Sequence, residues 1–191
     1  MAGCFVAVVG PSGVGKDTLI GHARAALAGD RGFLFVRRLV TRAGNAFEDH
    51  DTIDEAAFEA GHAGGSFALS WRAHGLGYAL PADTVAAIGG SSVAICNLSR
   101  RAIPEAQRRF ARVRVVRVTA PPEILAGRLA ARGRESAEAV AERLRREAEQ
   151  GCEFEADLTI QNDRPLSITG GELVEFLSRL KEEQGVLQPS P

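Results

Sequence analysis

At 191 residues the chain suits one domain, and an apolar share of 45% is enough to build a full core. A net charge of −1 excludes a bulk attraction to nucleic acid or to an anionic membrane surface, and no apolar run approaches the roughly 20 residues that span a bilayer. Cys4, Cys96 and Cys152 are odd in number and widely spaced, which argues against a disulfide framework or a zinc site; with no leader pattern in view, a reducing cytoplasm is the expected compartment.

The first predicted element is a buried strand, Cys4–Val9, apolar and β-prone throughout. Gly10-Pro11-Ser12-Gly13-Val14-Gly15-Lys16 follows and fits G-x-x-x-x-G-K, and residues 16–27 have helix-forming composition. Strand, glycine loop and helix are the context this motif requires; without a phosphate to hold, the same residues would be a glycine-rich turn. Glycines let the backbone aim its N–H groups at an anion with no Cβ in the way, and the helix N-terminus adds partial positive charge at the same point. Lys16 then reaches the β- and γ-phosphates of a nucleotide, with the amides from Gly13 to Thr18 as the cradle.

Further strands are predicted at 33–40, 92–97, Val113–Thr119 and 157–160. Helices are predicted at 81–88, 101–109, 122–132, 137–150 and 167–181. Pro121-Pro122 opens the fourth of the chain's helices well, and Gly89-Gly90 closes the second. Strands alternating with helices argue an α/β fold of the P-loop NTPase kind, a central parallel sheet flanked by helices. Residues 44–80 break the alternation. Phe67–Trp71 and Leu76–Leu80 read there as short strands around a turn at His74-Gly75. The expected organisation is one domain, with a core of 1–43 and 81–185, a small α+β insertion of about 44–80 that binds an acceptor, and a helical lid of about 128–150. Residues 188–191 are expected to fray.

Phosphoryl transfer needs positive charge around the moving group, because its transition state is stabilised mainly electrostatically. Arg37, Arg38 and Arg42 gather at the end of the second predicted strand, where ligands of open parallel sheets bind. Arg132-Gly133-Arg134 joins two predicted helices, and a helical hairpin with arginines at its joint suits a lid over triphosphate. Arg132, Arg134 and Arg143 are therefore read as catalytic, and Arg128, Arg145 and Arg146 as solvated charges on amphipathic helices. His22 and His62 read as surface residues, His74 as structural and Trp71 as packing.

The loop, Thr41-Arg42, the segment 67–81 and Arg132-Gly133-Arg134 together resemble the guanylate kinase branch of nucleoside monophosphate kinases, in matching order over about residues 4–180. The resemblance implies that Arg42 and Tyr78 hold the acceptor's phosphate and that Asn162 lies near the adenine. The departures narrow it. Ser70, in Ala68-Leu69-Ser70-Trp71, stands where guanylate kinases carry a base-reading glutamate, and a hydroxyl cannot replace a carboxylate that accepts from two N–H donors. Asn97 stands in place of a second such carboxylate, Arg100 follows it, and Asp17 replaces the Ser or Thr after the loop lysine.

Lys16-Asp17, Thr41-Arg42, Glu48-Asp49-His50, Phe67–Trp71, Ala73-His74-Gly75-Leu76-Gly77-Tyr78 and Ser99-Arg100 resemble the ribose 1,5-bisphosphate phosphokinases of phosphonate catabolism. That resemblance implies transfer of the ATP γ-phosphoryl group to the acceptor's 1-phosphate. Substrate-side candidates are Arg38, Arg42, Ser70, Tyr78 and Arg100. Glu48 and His50 either bind ribose hydroxyls or sit in an acidic loop facing water. Asp17 is the expected Mg²⁺ ligand, directly or through water, with the Thr18 hydroxyl as the other candidate. ATP and the sugar phosphate are the expected partners, with no nucleic acid and no membrane; nothing in the pattern fixes an oligomeric state. The rivals are a guanylate or other nucleoside monophosphate kinase and a non-catalytic module of the same fold. Lys16, Arg132 and Arg134 weigh against the module.

Overall fold

A computed structural model describes residues 3–43, 50–90, 93–130 and 154–186. Among these the elements run β1 (Cys4–Val9), α1 (Lys16–Ala26), β2 (Phe33–Phe35), β3 (Arg38–Val40), β4 (His50–Thr52), α2 (Glu55–Ala63), β5 (Leu69–Ala73), β6 (Leu76–Leu80) and α3 (Thr84–Gly90). They continue with β7 (Val93–Asn97), α4 (Ile103–Arg109), β8 (Val113–Thr119), α5 (Pro122–Ala130), β9 (Leu158–Gln161) and α6 (Leu166–Val186).

The core sheet has five strands in the order β2-β7-β1-β8-β9, all parallel. β1 lies at its centre with every residue buried, as its unbroken apolar run requires when both faces are covered. Cys4, Val6 and Val8 pack with Leu19, Ala23, Leu173 and Leu177 of α1 and α6. Phe5, Ala7 and Val9 pack on the other side with Ile103 and Ala106 of α4, and the Phe5 ring stacks on Phe110 at 4.3 Å between centroids. The sheet therefore delivers the carboxyl ends of β1 and β7, and the residues that follow them, to one edge of the domain.

The single strand expected at 33–40 is two strands in two sheets. Val36 N still donates to Ile95 O at 2.9 Å, after which the chain leaves the core sheet. Arg37 and Arg38 explain the break, because a doubly covered parallel sheet has no place for two guanidinium groups. β3 instead joins a four-stranded sheet of order β4-β3-β6-β5. The β5–β6 hairpin turns at His74 and Gly75, both at positive φ (52° and 75°), as a two-residue loop of this hand demands.

β4 and α2 are not visible in the sequence pattern. β4 is only three residues long, and Phe58 is the buried residue of α2. Asp54 is the N-cap of α2, and its side chain accepts from Ala57 N at 2.8 Å.

The register divides the second sheet into two faces. Ser70, Arg72, Gly77 and Ala79 fall on one, and Leu69, Trp71, Tyr78 and Leu80 on the other with Arg38 and Val40. α2 covers the first face, as the contacts of Arg72 with Glu55 and Glu59 show. The second face turns toward the core, where Leu69, Trp71 and Leu80 join the cluster around Phe5.

Candidate active site

The loop after β1 has a backbone that only its glycines permit. Gly15 caps α1 at φ 95°, in the left-handed region. A Cβ on Gly10 would lie 2.3 Å from the Val118 carbonyl oxygen. The Lys16 ammonium donates to Gly10 O at 2.8 Å and to Pro11 O at 3.0 Å, so it lies over the loop's own curve. Backbone bonding inside α1 begins with Leu19 N donating to Gly15 O at 3.0 Å, and the first-turn amides of a helix precede that bond. Ser12 and Gly13 stay half-buried and Thr18 is exposed.

Val14, buried at the top of the loop, is held by its carbonyl. Asn162 Nδ2 donates to it at 2.7 Å and Arg128 Nη1 at 3.2 Å, while Arg128 Nη2 donates to Asn162 O at 2.9 Å. Asn162 Oδ1 accepts from Thr169 Oγ1 at 3.0 Å, so the amide of this buried residue is spent on protein groups. Arg128, expected as a solvated charge, is thus a brace of the phosphate loop. Its bond to Val14 spans 114 positions of chain and its bond to Asn162 spans 34, and no local spacing announces them.

On the acceptor side, Asn97 at the end of β7 donates through Nδ2 to Asp17 Oδ1 at 2.7 Å. Arg38 Nη2 lies 3.7 Å from the same oxygen, and its side chain is 11% exposed. The Arg38 guanidinium also stands over the Tyr78 ring at 5.7 Å, and Tyr78 in turn stacks on Trp71 at 5.4 Å. Asp17, Asn97, Arg38 and Tyr78 are therefore brought together by four separate elements. Arg42 and Arg100 are half-buried just beyond β3 and β7. The Arg42 carbonyl accepts from Thr52 Oγ1 at 3.3 Å, and Thr41 Oγ1 accepts from Gly77 N at 2.8 Å, which fixes the turn that carries Arg42.

His50 is buried and pairs in register with Arg38. Its Nδ1 lies 3.2 Å from Asp51 O, and Arg37 Nη2 donates to Asp51 Oδ1 at 2.8 Å. Ser70 is placed apart, on the face under α2, with its Oγ 2.8 Å from His62 Nδ1. His62, read as a surface residue, is held by that contact and by stacking on Phe58 at 5.6 Å. Glu48, Arg132, Arg134 and Arg143 lie outside the described residues. Burial pushes the Cys96 thiol up to about 12 although Arg38 opposes it, and the Cys4 thiol up to about 11. Both remain neutral at physiological pH and take no part as nucleophiles.

No protein-family model matches the chain. It is 54% identical over 177 residues to the ribose 1,5-bisphosphate phosphokinase PhnN of Methylobacterium radiotolerans, across 93% of this chain and 98% of that one. The chain belongs to the ribose 1,5-bisphosphate phosphokinase family. The relatives named ribose 1,5-bisphosphate phosphokinase PhnN from Brucella melitensis (53% over 146 residues, 76% of each chain) and Chelativorans (43% over 179 residues, 93% and 86%) agree. In three dimensions this family member resembles the guanylate kinase of Anaplasma phagocytophilum, with a TM-score of 0.66 at 14% identity over 94% of this chain and 87% of that one. At that identity the likeness shows the α/β fold, a central parallel sheet flanked by helices, and nothing about the acceptor. Among the described residues, no helix is long and apolar enough to cross a membrane.

Proposed function

We propose that the chain transfers the γ-phosphoryl group of ATP to the 1-phosphate of ribose 1,5-bisphosphate, forming 5-phospho-α-D-ribose 1-diphosphate and ADP, a step in cytoplasmic phosphonate degradation. The observation that carries this reading is Arg38, held 11% exposed between the Asp17 carboxylate and the Tyr78 ring. A guanidinium on the sheet face that meets the phosphate loop suits an anionic acceptor. Identity of 54% with a relative named for this substrate supports the same acceptor.

The phosphate oxygens of the acceptor are ionised near neutral pH, so the reaction needs alignment and charge neutralisation rather than a strong base. Lys16 and the amides from Gly13 to Thr18 hold the donor phosphates. Asn162 and Arg128 keep the loop in shape by binding Val14 O. Arg42, Tyr78 and Arg100 hold the acceptor with Arg38, and His50 lies close enough in register to take part in binding ribose, together with Glu48. Ser70 brings no carboxylate to read a base. Arg132, Arg134 and Arg143 supply further charge to the moving phosphoryl group.

Among the described residues, no group of three His, Cys, Asp or Glu side chains could hold a metal alone. The Asp17 carboxylate, directly or through water, or else the Thr18 hydroxyl, would hold Mg²⁺ in the shared manner in which it binds, with phosphates and waters completing its shell. When bound, Mg²⁺ neutralises charge on the donor phosphates.

A coupled assay on ribose 1,5-bisphosphate, GMP and AMP with ATP tests the proposal. Turnover of the sugar bisphosphate at the highest kcat/KM is the expected result, and GMP as the best acceptor overturns it.

A further inference from the structure

α1 carries a second cation toward the acceptor side. Asp17, Gly21 and Arg24 stand at i, i+4 and i+7, and so share one face of the helix. That face borders a cavity of about 60 Å³ whose walls include Asp17, Gly21, Arg24, Val36, Arg38 and Asn97. Two guanidinium groups and one carboxylate meet there, and Oδ1 of the carboxylate is already engaged by Asn97 and Arg38.

Gly21 is the informative residue. A glycine inside a helix costs about 0.5–1 kcal/mol relative to alanine, and close packing is its ordinary justification. At Gly21 a Cβ would meet nothing within 4 Å. Packing does not explain the missing side chain, but room in the cavity between Asp17 and Arg24 does. Arg24 is itself steadied by its stacking over the Phe35 ring at 5.5 Å.

We infer that Arg24, with Arg38, binds the second phosphate of the acceptor, the one on carbon 5 of the sugar, in the groove over Gly21. The inference rests on the sugar-bisphosphate reading above. Seven residues of helix separate Asp17 from Arg24, about 10 Å along the axis. A pentose with phosphates at its two ends lies along that face, its reacting 1-phosphate toward Lys16 and its 5-phosphate at Arg24. A nucleoside monophosphate has one phosphate and leaves the Arg24 end unfilled, so Arg24 acts as a specificity residue.

The test uses the full chain and two fragments of the acceptor as inhibitors, ribose 5-phosphate and ribose 1-phosphate. Arg24→Met is expected to raise KM for ribose 1,5-bisphosphate roughly 10- to 100-fold, the range of a lost charge-assisted hydrogen bond. KM for ATP stays unchanged, and Arg24→Lys recovers part of the loss. Inhibition by ribose 5-phosphate weakens by the same factor, and inhibition by ribose 1-phosphate does not. Gly21→Leu, a good helix former that fills the groove with Arg24 intact, reproduces the pattern at an equal or higher melting temperature. Equal weakening of both inhibitors, no weakening of either, or an unchanged KM in Gly21→Leu overturns the assignment of Arg24. Failure of the wild type to turn over ribose 1,5-bisphosphate is a different result, and it removes the functional reading itself.

Discussion

The Asn97 side-chain amide donates to Asp17 Oδ1 at 2.7 Å, tying the carboxyl end of β7 to the first turn of α1. Arg38 approaches the same oxygen from β3 at 3.7 Å. The core sheet, the phosphate-loop helix and the acceptor sheet therefore meet at one carboxylate. A neutral amide is the side chain that allows this, because it donates without adding charge.

Asn97→Asp turns that contact into two carboxylates at hydrogen-bond distance, which holds one of them protonated to higher pH. The expected loss in kcat/KM for the sugar bisphosphate is about 10- to 100-fold at alkaline pH, since a charge-assisted hydrogen bond is worth roughly 1.5–3 kcal/mol. Activity recovers as the pH is lowered, because a shared proton restores a donor. A pH–rate profile of the two enzymes checks this, and parallel profiles contradict it.

Lys16→Ala removes the cation that lies over Gly10 O and Pro11 O. Its largest effect belongs to the transition state, where charge on the transferring group is greatest. Turnover is expected to drop by roughly 10²–10³-fold or more, while far-UV circular dichroism stays unchanged, since the loop's backbone is set by glycines and by the Val14 brace. A rate near that of the wild type removes Lys16 from the site.

These elements were unequally legible. The phosphate loop could be read because its chemistry is contiguous: glycine positions, lysine and helix start lie in one run of residues. The same holds for the β5–β6 hairpin, whose turn at His74 and Gly75 is local. The break between Phe35 and Arg38 was hidden, since two strands in different sheets make one unbroken β-prone run, and only the charges of Arg37 and Arg38 mark the exit. Arg128 was misjudged for a related reason, whereas His62 is at the surface as expected and the sequence hid only its partner. The first is fixed by Val14 and Asn162, the second by Ser70 from a neighbouring strand, and both contacts depend on the fold rather than on spacing.

Asn162→Ala should separate loop support from chemistry. The variant takes a donor from Val14 O and an acceptor from Thr169 Oγ1 in a buried setting. Val14 O keeps its bond from Arg128 Nη1 and Thr169 Oγ1 keeps Pro165 O, so the cost is that of two lost hydrogen bonds, about 0.5–1.5 kcal/mol each. An unfolding free energy from urea titration lowered by about 1–3 kcal/mol in total is expected, together with a raised KM for ATP and a smaller change in KM for the acceptor. A change confined to the acceptor would refute the bracing role.

Arg72 predicts an acid dependence. It donates to Glu55 and Glu59 and lies over Phe58 at 5.0 Å, docking α2 on the sheet. The Arg72 guanidinium holds the Glu55 carboxyl below its ordinary value of 4.5. As pH falls below that value the unfolded chain takes up the proton first, so this contribution is present above it and is lost on further acidification. Arg72→Met should flatten the loss of stability between about pH 5 and about pH 3. Urea midpoints measured across that interval decide it, and an unchanged slope assigns the acid sensitivity to other groups.

Ser70→Glu restores the residue type that reads guanine in the guanylate kinase branch, but on this chain it does so on the wrong face. Ser70 shares its side of the sheet with Arg72 and Gly77, under α2, and its hydroxyl meets His62 at 2.8 Å. Trp71 and Tyr78 point to the other side, where Arg38 and Asp17 gather. A carboxylate at position 70 therefore pairs with His62 and never reaches the acceptor. The variant is expected to gain no turnover of GMP in the coupled assay. Appearance of GMP kinase activity would place position 70 on the acceptor face and reverse the division of the sheet on which this argument stands.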